Sequence, residues 1–289
     1  MRTVLRSAVI LLLLAPAACK RQKAAESRLD SFPVRVTPAA RRDIEETIVL
    51  VGSIKAKDEA ALFSRVPGKL QRNVLKEGDP VRKGAAVALV ERDEVGVRFE
   101  PAPVPSTLDG VVARLYLDQG QNVTPQTPVA LVVDPSQILA RVDVPERFAG
   151  RVRLGLALRV KVDAYPDRAF PGTVTRVSPV VDPATRSTLV EARIEDAEGR
   201  LRPGMFGEIT LVLARAGGVL AVPAESVTDG LGWALFVVQD GRAVKREVEL
   251  GVRSDAFVEI RKGLAPGESV VTFGLFGLKD GSPVEILAP

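Results

Sequence analysis

Pro67-Gly68-Lys69-Leu70, Lys76-Glu77-Gly78-Asp79-Pro80-Val81, Lys83-Gly84 and Val87-Ala88-Leu89-Val90 form a run of short motifs. They return as Asp109-Gly110-Val111-Val112, Asp118-Gln119-Gly120-Gln121-Asn122-Val123 and Val129-Ala130-Leu131-Val132. The offset is a constant 42 positions, carrying Gly68 to Gly110, Gly78 to Gly120, Val81 to Val123 and Val87 to Val129. A repeat held in register this way implies a pseudo-symmetric pair of half-domains, each too small to bury a core of its own. Gly68 and Gly110 each precede a strand start. Gly78 and Gly120 fall where a tight turn needs a positive φ or a close backbone approach. All four glycines are expected at structural turns of this region, Asp58 to Ile138.

The rest of the chain is read outward from there. Its 289 residues are enough for two to four small domains. Aromatic residues make up 4% against 46% hydrophobic, so the cores are expected to be rich in Val, Leu and Ala. The 24 glycines and 21 prolines are spread along the chain, as in a protein of many short strands and turns. A net charge of +4 without a basic cluster makes nucleic acid an unsuitable partner. With no histidine in the chain, imidazole bases and imidazole metal ligands are excluded. The one cysteine, Cys19, excludes an internal disulfide and a thiolate cluster. No cofactor, metal or catalytic site is expected.

The first 19 residues read as an export signal: Arg2 and Arg6 precede the apolar stretch Ala8 to Ala15, eight residues long. Helical, it would span about 12 Å, well short of the ~30 Å of a bilayer core. Ala17-Ala18-Cys19 resembles the end of a bacterial lipobox, which implies lipidation of Cys19, although Pro16 stands where that pattern usually has Leu. Ordinary cleavage after Ala15-Pro16-Ala17 is the alternative and would give a soluble periplasmic protein. Residues 20–30 are polar and charged and read as a flexible tether.

Past the repeat the pattern stays β-like. Leu139 to Val144 alternates, and Pro145-Glu146-Arg147-Phe148 reads as a turn or short helix. Leu158, Val160, Val162 and Ala164 face one way, with Arg159, Lys161 and Asp163 opposite. With Phe170 to Ser178, Thr188 to Ile194 and Glu208 to Leu213, these segments predict a small antiparallel barrel. Gly217-Gly218 reads as a boundary, and Asp240-Gly241 as a hairpin turn between two later strands.

The repeat resembles the biotinyl/lipoyl-like fold. In carriers of that fold a lysine between the halves holds the cofactor; here Glu94 stands in its place, and a carboxylate cannot form that amide. The whole stretch from Val34 to Leu287 resembles the periplasmic adaptor subunits of RND-type tripartite efflux pumps, the membrane fusion protein or HlyD-like family. The lipoyl halves carry the resemblance, together with two further signatures. One is Gly172-Thr173-Val174, Val177-Ser178-Pro179, Asp182, Thr185-Arg186 and Val190. The other is Leu201-Arg202-Pro203-Gly204-Met205-Phe206 followed by Val222-Pro223-Ala224-Glu225-Ser226-Val227.

The resemblance implies a mainly β, elongated multidomain adaptor. Residues 1–19 would be the lipoprotein signal and 20–30 the tether. A membrane-proximal β domain would pair 31–43 with 219–289, a β-barrel 44–57 with 139–215, and a lipoyl-like domain would occupy 58–138. The long α-helical hairpin of most relatives is expected to be absent, replaced by a short loop over 94–105 that contains Pro101, Pro103 and Pro105. The implied function is non-catalytic: connecting an inner-membrane RND transporter toward an outer-membrane channel for export of small molecules, as one of several packed copies. Arg202, Pro203, Gly204 and Met205 are candidates for transporter contact, beside a plain β-turn role. Arg186 is a candidate for contact with a neighbouring copy, beside a plain surface role. The lipid anchor is expected in the inner membrane; Lys20, where an Asp favours that membrane, leaves the outer one open. The alternatives are a stand-alone periplasmic scaffold or binding lipoprotein and, less favoured, a biotinyl/lipoyl-type carrier.

Overall fold

The computed structural model describes residues 31–92, 100–196, 198–230 and 232–287. The signal, Cys19, the tether 20–30 and Glu94 lie outside the described residues. The fold is mainly β. From Ser31 the chain passes through β1 (Phe32–Pro38) and the long β2 (Ala40–Ala56). It continues through β3 (Glu59–Phe63), β4 (Gly68–Asn73), β5 (Pro80–Val81), β6 (Ala86–Glu91), β7 (Ala102–Pro105), β8 (Gly110–Leu115), β9 (Asn122–Val123) and β10 (Pro128–Val133). Then come β11 (Ile138–Pro145), helix α1 (Glu146–Ala149), β12 (Ala157–Val162), β13 (Phe170–Asp182), β14 (Ser187–Ile194) and the long β15 (Phe206–Pro223). Last are β16 (Thr228–Asp229), β17 (Trp233–Gln239), β18 (Arg242–Glu247), β19 (Glu249–Arg253), β20 (Phe257–Lys262), β21 (Ser269–Phe273) and β22 (Val284–Ile286). Two compact units result. One is Arg41–Ala221 with Leu250–Glu259; the other is the chain up to Ala40, Val222–Glu249 and from Ile260 onward.

In the first unit the repeat folds into two four-stranded sheets, ordered β3-β10-β8-β5 and β7-β6-β4-β9. Each half of the repeat supplies the inner pair of one sheet and the outer pair of the other, so neither half closes alone. The twelve buried apolar residues between the sheets are six pairs at the repeat offset: Leu62 with Val104, Leu70 with Val112, Val81 with Val123, Val87 with Val129, Ala88 with Ala130 and Val90 with Val132. The turns obey the same offset. The Gly78 N–H donates to the Val112 carbonyl and the Gly120 N–H to the Leu70 carbonyl, both at 2.8 Å. Both glycines have positive φ, +92° and +86°. Gly68 and Gly110, expected at turns, are instead the first residues of β4 and β8. A Cβ on Gly68 would collide with the Glu91 carbonyl oxygen, and one on Gly110 with that of Val133.

The loop expected over 94–105 is also corrected. Ala102–Pro105 is a strand, paired with β6 through Val90↔Ala102 and Ala88↔Val104. Pro103 and Pro105 are accommodated because β7 is an edge strand, with no ladder bond required on its open side. The match extends upstream: Ser64 donates to the Val66 carbonyl and Ser106 to that of Leu108, each at 2.7 Å. Only ten residues separate Glu91 from Ala102, about 15 Å of helix before division between two arms. That length leaves no room for a long helical hairpin.

The barrel runs β12-β13-β14-β11-β2-β15 and closes through β12 on β15, pairing Leu158 with Leu211 and Val160 with Ile209. Strict alternation buries Leu158, Val160 and Val162, and likewise Ala140, Val142 and Val144, around Phe170. Closure leaves the six barrel strands no free edge. Gly217-Gly218, read above as a boundary, lies inside β15. Gly218 has φ +62°, and its N–H donates to Asp43 Oδ1 at 2.8 Å. The strand therefore turns locally without ending, and β20 and β19 extend the sheet on its other side.

In the second unit β1 is clamped between β21, antiparallel, and β22, parallel. β17 and β18 are joined by Asp240-Gly241, both at positive φ (+49° and +73°), as a two-residue hairpin turn requires. Val34, Phe236, Ala243, Val271 and Leu278 form the core here.

The two glycine pairs should respond differently to alanine. Gly68→Ala and Gly110→Ala force backbone apart and should cost more than about 3 kcal/mol. Gly78→Ala and Gly120→Ala strain only φ and should cost about 1–2 kcal/mol. Urea denaturation of the four variants gives the order; equal or inverted costs would contradict the close-approach role.

Candidate functional site

The Leu201–Phe206 signature forms a tight turn docked on β2. Gly204, at φ +96°, donates its N–H to the Ile54 carbonyl (2.8 Å), and the Ile54 N–H donates to the Met205 carbonyl (2.7 Å). The Met205 side chain packs on the barrel core, and its sulfur accepts from the Arg202 N–H at 3.4 Å. Gly204 and Met205 thus secure the turn, while the Arg202 side chain points out of it, exposed. The turn borders an open groove of about 610 Å³ whose other walls include Lys55, Glu59, Gly78 and Arg114. Gly78 and Arg202–Gly204 are therefore brought to one place by the fold.

Arg186 does not line this groove. It sits in the β13–β14 turn at φ +51°, a left-handed conformation uncommon for a non-glycine residue. Its N–H donates to the Asp182 carbonyl (2.8 Å) and its carbonyl accepts from the Glu146 N–H (3.0 Å). The backbone of Arg186 thus fixes the hairpin against α1, and the side chain is exposed.

A second surface was not singled out from the sequence. Val51 is 77% and Phe206 69% exposed, and both line a shallow groove with Gly52, Ser53, Lys55, Arg141 and Asp143. Val49 is exposed on the same face of β2. The signal was present: Val49 and Val51 alternate with Ile48 and Leu50, which pack on the barrel core, so both faces of this strand are apolar.

Charge clamps hold β2 to its neighbours. Arg151 makes a two-pronged contact with Glu46, both arms at 2.5 Å, and Glu45 pairs with Arg159 at 2.9 Å. The Arg151 hydrogen bond holds the Glu46 carboxyl below its usual range, against a smaller opposing effect of burial. Among the described residues no group of three or more His, Cys, Asp or Glu is placed to hold a metal ion, and no helix is long and apolar enough to cross a membrane.

Comparison with known proteins gives the class. Residues 138–215 match the CusB-like β-barrel domain of RND systems, and residues 219–286 match the C-terminal permuted SH3-like domain of YknX. The nodulation protein NolF of Rhizobium meliloti (strain 1021) is 31% identical over 187 residues, 64% of this chain and 51% of that protein. The cation efflux system protein CusB of Escherichia coli (strain K12) is 28% identical over 190 residues, 65% of this chain and 46% of that protein. The chain spans about half the length of these curated relatives. Among solved structures, MacA from Actinobacillus actinomycetemcomitans superposes with a TM-score of 0.69 at 18% identity, covering 82% of this chain and 98% of that one. ZneB from Cupriavidus metallidurans gives 0.53 at 21% identity, covering 86% and 94%. Both likenesses are of fold. Residues 138–215 and 219–286 thus carry two domains described from efflux-system proteins and their relatives, and the described residues have the fold of solved adaptors without a long helical hairpin.

The Glu46–Arg151 pair sets a pH dependence. Because the folded-state pKa of Glu46 is lowered, its stabilisation is complete above the ordinary carboxylate range and is lost as pH falls through the lowered value. Glu46→Gln should lower stability at neutral pH by less than about 1 kcal/mol, since the pair is partly solvated. The difference in melting temperature from wild type should close on acidification; a pH-independent difference would refute the linkage.

Proposed function

We propose that the chain is a non-catalytic periplasmic adaptor that connects an inner-membrane RND transporter toward an outer-membrane channel for export of small molecules. The observation that carries this reading is the match of residues 138–215 to the CusB-like RND barrel, over a segment that supplies five of the six strands of a closed barrel. Its work is mechanical, and the transporter supplies the energy. A lipid on Cys19 holds it to the inner membrane. Arg202, on its rigid turn beside the groove with Lys55 and Arg114, is the transporter-facing group. The apolar strip of Val49, Val51 and Phe206 packs against a neighbouring copy in the assembled collar, with Arg186 on the hairpin beside α1 as a further contact to that copy. The domain limits expected above, with the barrel at 44–57 and 139–215 and the sandwich at 58–138, describe the parts of this adaptor.

The short connection between Glu91 and Ala102 favours one second reading, a stand-alone periplasmic scaffold. Without hairpin arms, the contact by which most relatives reach an outer-membrane channel has no counterpart here.

Tagged protein purified in detergent after crosslinking should bring down an RND transporter. Arg202→Ala should reduce that yield several-fold at unchanged melting temperature. Recovery of no transporter would leave the scaffold reading. Separately, metabolic labelling with an alkyne fatty acid should mark the wild type and not Cys19→Ser; an unlabelled wild type would remove the anchor.

A further inference from the structure

The side chain of Phe276 is 99% exposed, more than any other large hydrophobic residue described. Single exposed apolar residues are ordinary on protein surfaces, but this one is set in a fixed loop. Leu275 and Leu278, on either side of it, turn inward onto the core with Val34 and Phe236. The Leu278 N–H donates to the Leu275 carbonyl (3.2 Å), and the Gly281 N–H donates to that of Ala243 (2.8 Å). Gly274, Gly277 and Gly281 all take positive φ, between +77° and +88°, so the path is one that glycine permits. The fold holds the flanking leucines in and presents the phenyl ring outward.

The place where it is presented is specific. A Cβ on Gly277 would lie 3.7 Å from the Phe32 ring, and one on Gly274 would collide with the Pro33 carbonyl. The loop therefore lies along the first residues of β1, where the chain enters this unit. Eleven residues, 20–30, separate Cys19 from Ser31. Fully extended they reach about 35–40 Å, and as a flexible coil roughly 20 Å. Lys20, Arg21, Lys23 and Arg28 against Glu26 and Asp30 give that segment a positive balance suited to anionic lipid. Around the tip, Lys279 is exposed, while the Asp280 carboxylate accepts the Lys245 N–H at 2.8 Å. Phe273, 57% exposed, lies beneath the Arg35 guanidinium, 5.3 Å from the ring centroid. Exposed Phe with Lys and Arg nearby is a composition shared with surfaces that lie in the membrane interface.

We propose that the Gly274–Lys279 loop is a membrane-contact site that places the Phe276 ring in the interfacial layer of the bilayer. This rests on the lipid-anchor reading for the nearness of a membrane. It makes the anchor one of two attachments. The occupant is lipid because the loop lies beside Phe32 and Pro33, only a short chain away from the lipid at Cys19.

The test removes the anchor so that the two readings fail separately. A chain begun at Lys20, which keeps every described residue, should partition onto vesicles of phosphatidylethanolamine and phosphatidylglycerol. Phe276→Ser should weaken that partition about tenfold, the factor expected from one phenyl side chain leaving an apolar layer. Phe276→Trp in a Trp233→Phe background should bind as well as the parent, with its emission moving to the blue on addition of vesicles. Equal partition of Phe276→Ser and its parent, or unshifted tryptophan emission with vesicles in excess, would overturn the proposal whatever is found at Cys19.

Discussion

The interlocking of the two repeat halves is the constraint on which the first unit depends. Each half reaches across to satisfy the other's backbone, Gly78 to Val112 and Gly120 to Leu70. Each also completes the other's sheet with its edge strands. The buried residues are mostly Val, Leu and Ala, with no aromatic ring among the twelve. A core of such small side chains gains its stability from close packing of matched surfaces. That packing is why glycine is required where β4 passes Glu91 and β8 passes Val133. The symmetry is physical as well as sequential: every one of those close contacts occurs twice.

The barrel meets a different requirement. Six strands whose inner residues alternate cleanly can bury Phe170 and its neighbours only if the sheet curls onto itself, and β12 on β15 completes that closure. β2 and β15 are much longer than the barrel needs, and β2 carries the paired charges of Glu45 and Glu46 on one stretch and the exposed apolar Val49 and Val51 on the next. One strand thus bears both the clamps that hold it and the strip assigned to a neighbouring copy.

Much of this was legible in the sequence, and the exceptions have physical causes. The 42-residue offset exposed the sandwich because glycine and valine spacing survives when side chains vary. Residues 102–105 read as loop in the sequence because proline argues against a strand unless that strand is an edge, as β7 is. The alternation Ala60, Leu62, Ser64, Val66 against Ala102, Val104, Ser106, Leu108 held the correct answer. Gly217-Gly218 falls between the two matched domains as expected, yet β15 runs on through it, because a glycine pair can serve a local turn within a continuous strand. The candidate site was less legible. The Arg202–Met205 turn announced itself by its glycine and proline, but its division into two supporting residues and one outward arginine depends on where Ile54 lies, far away in the chain.

The placement of β1 has a mechanical side. Phe32–Val34 pair with β22 and Arg35–Pro38 with β21, so the two ladders follow one another along β1 from its entry at Phe32. A pull on the residues preceding Ser31, directed along that strand, loads both ladders in shear, so many hydrogen bonds resist together. A strand pulled crosswise would surrender them one at a time. The end of the unit through which an attached chain would transmit force is thus the end whose bonding geometry resists it best.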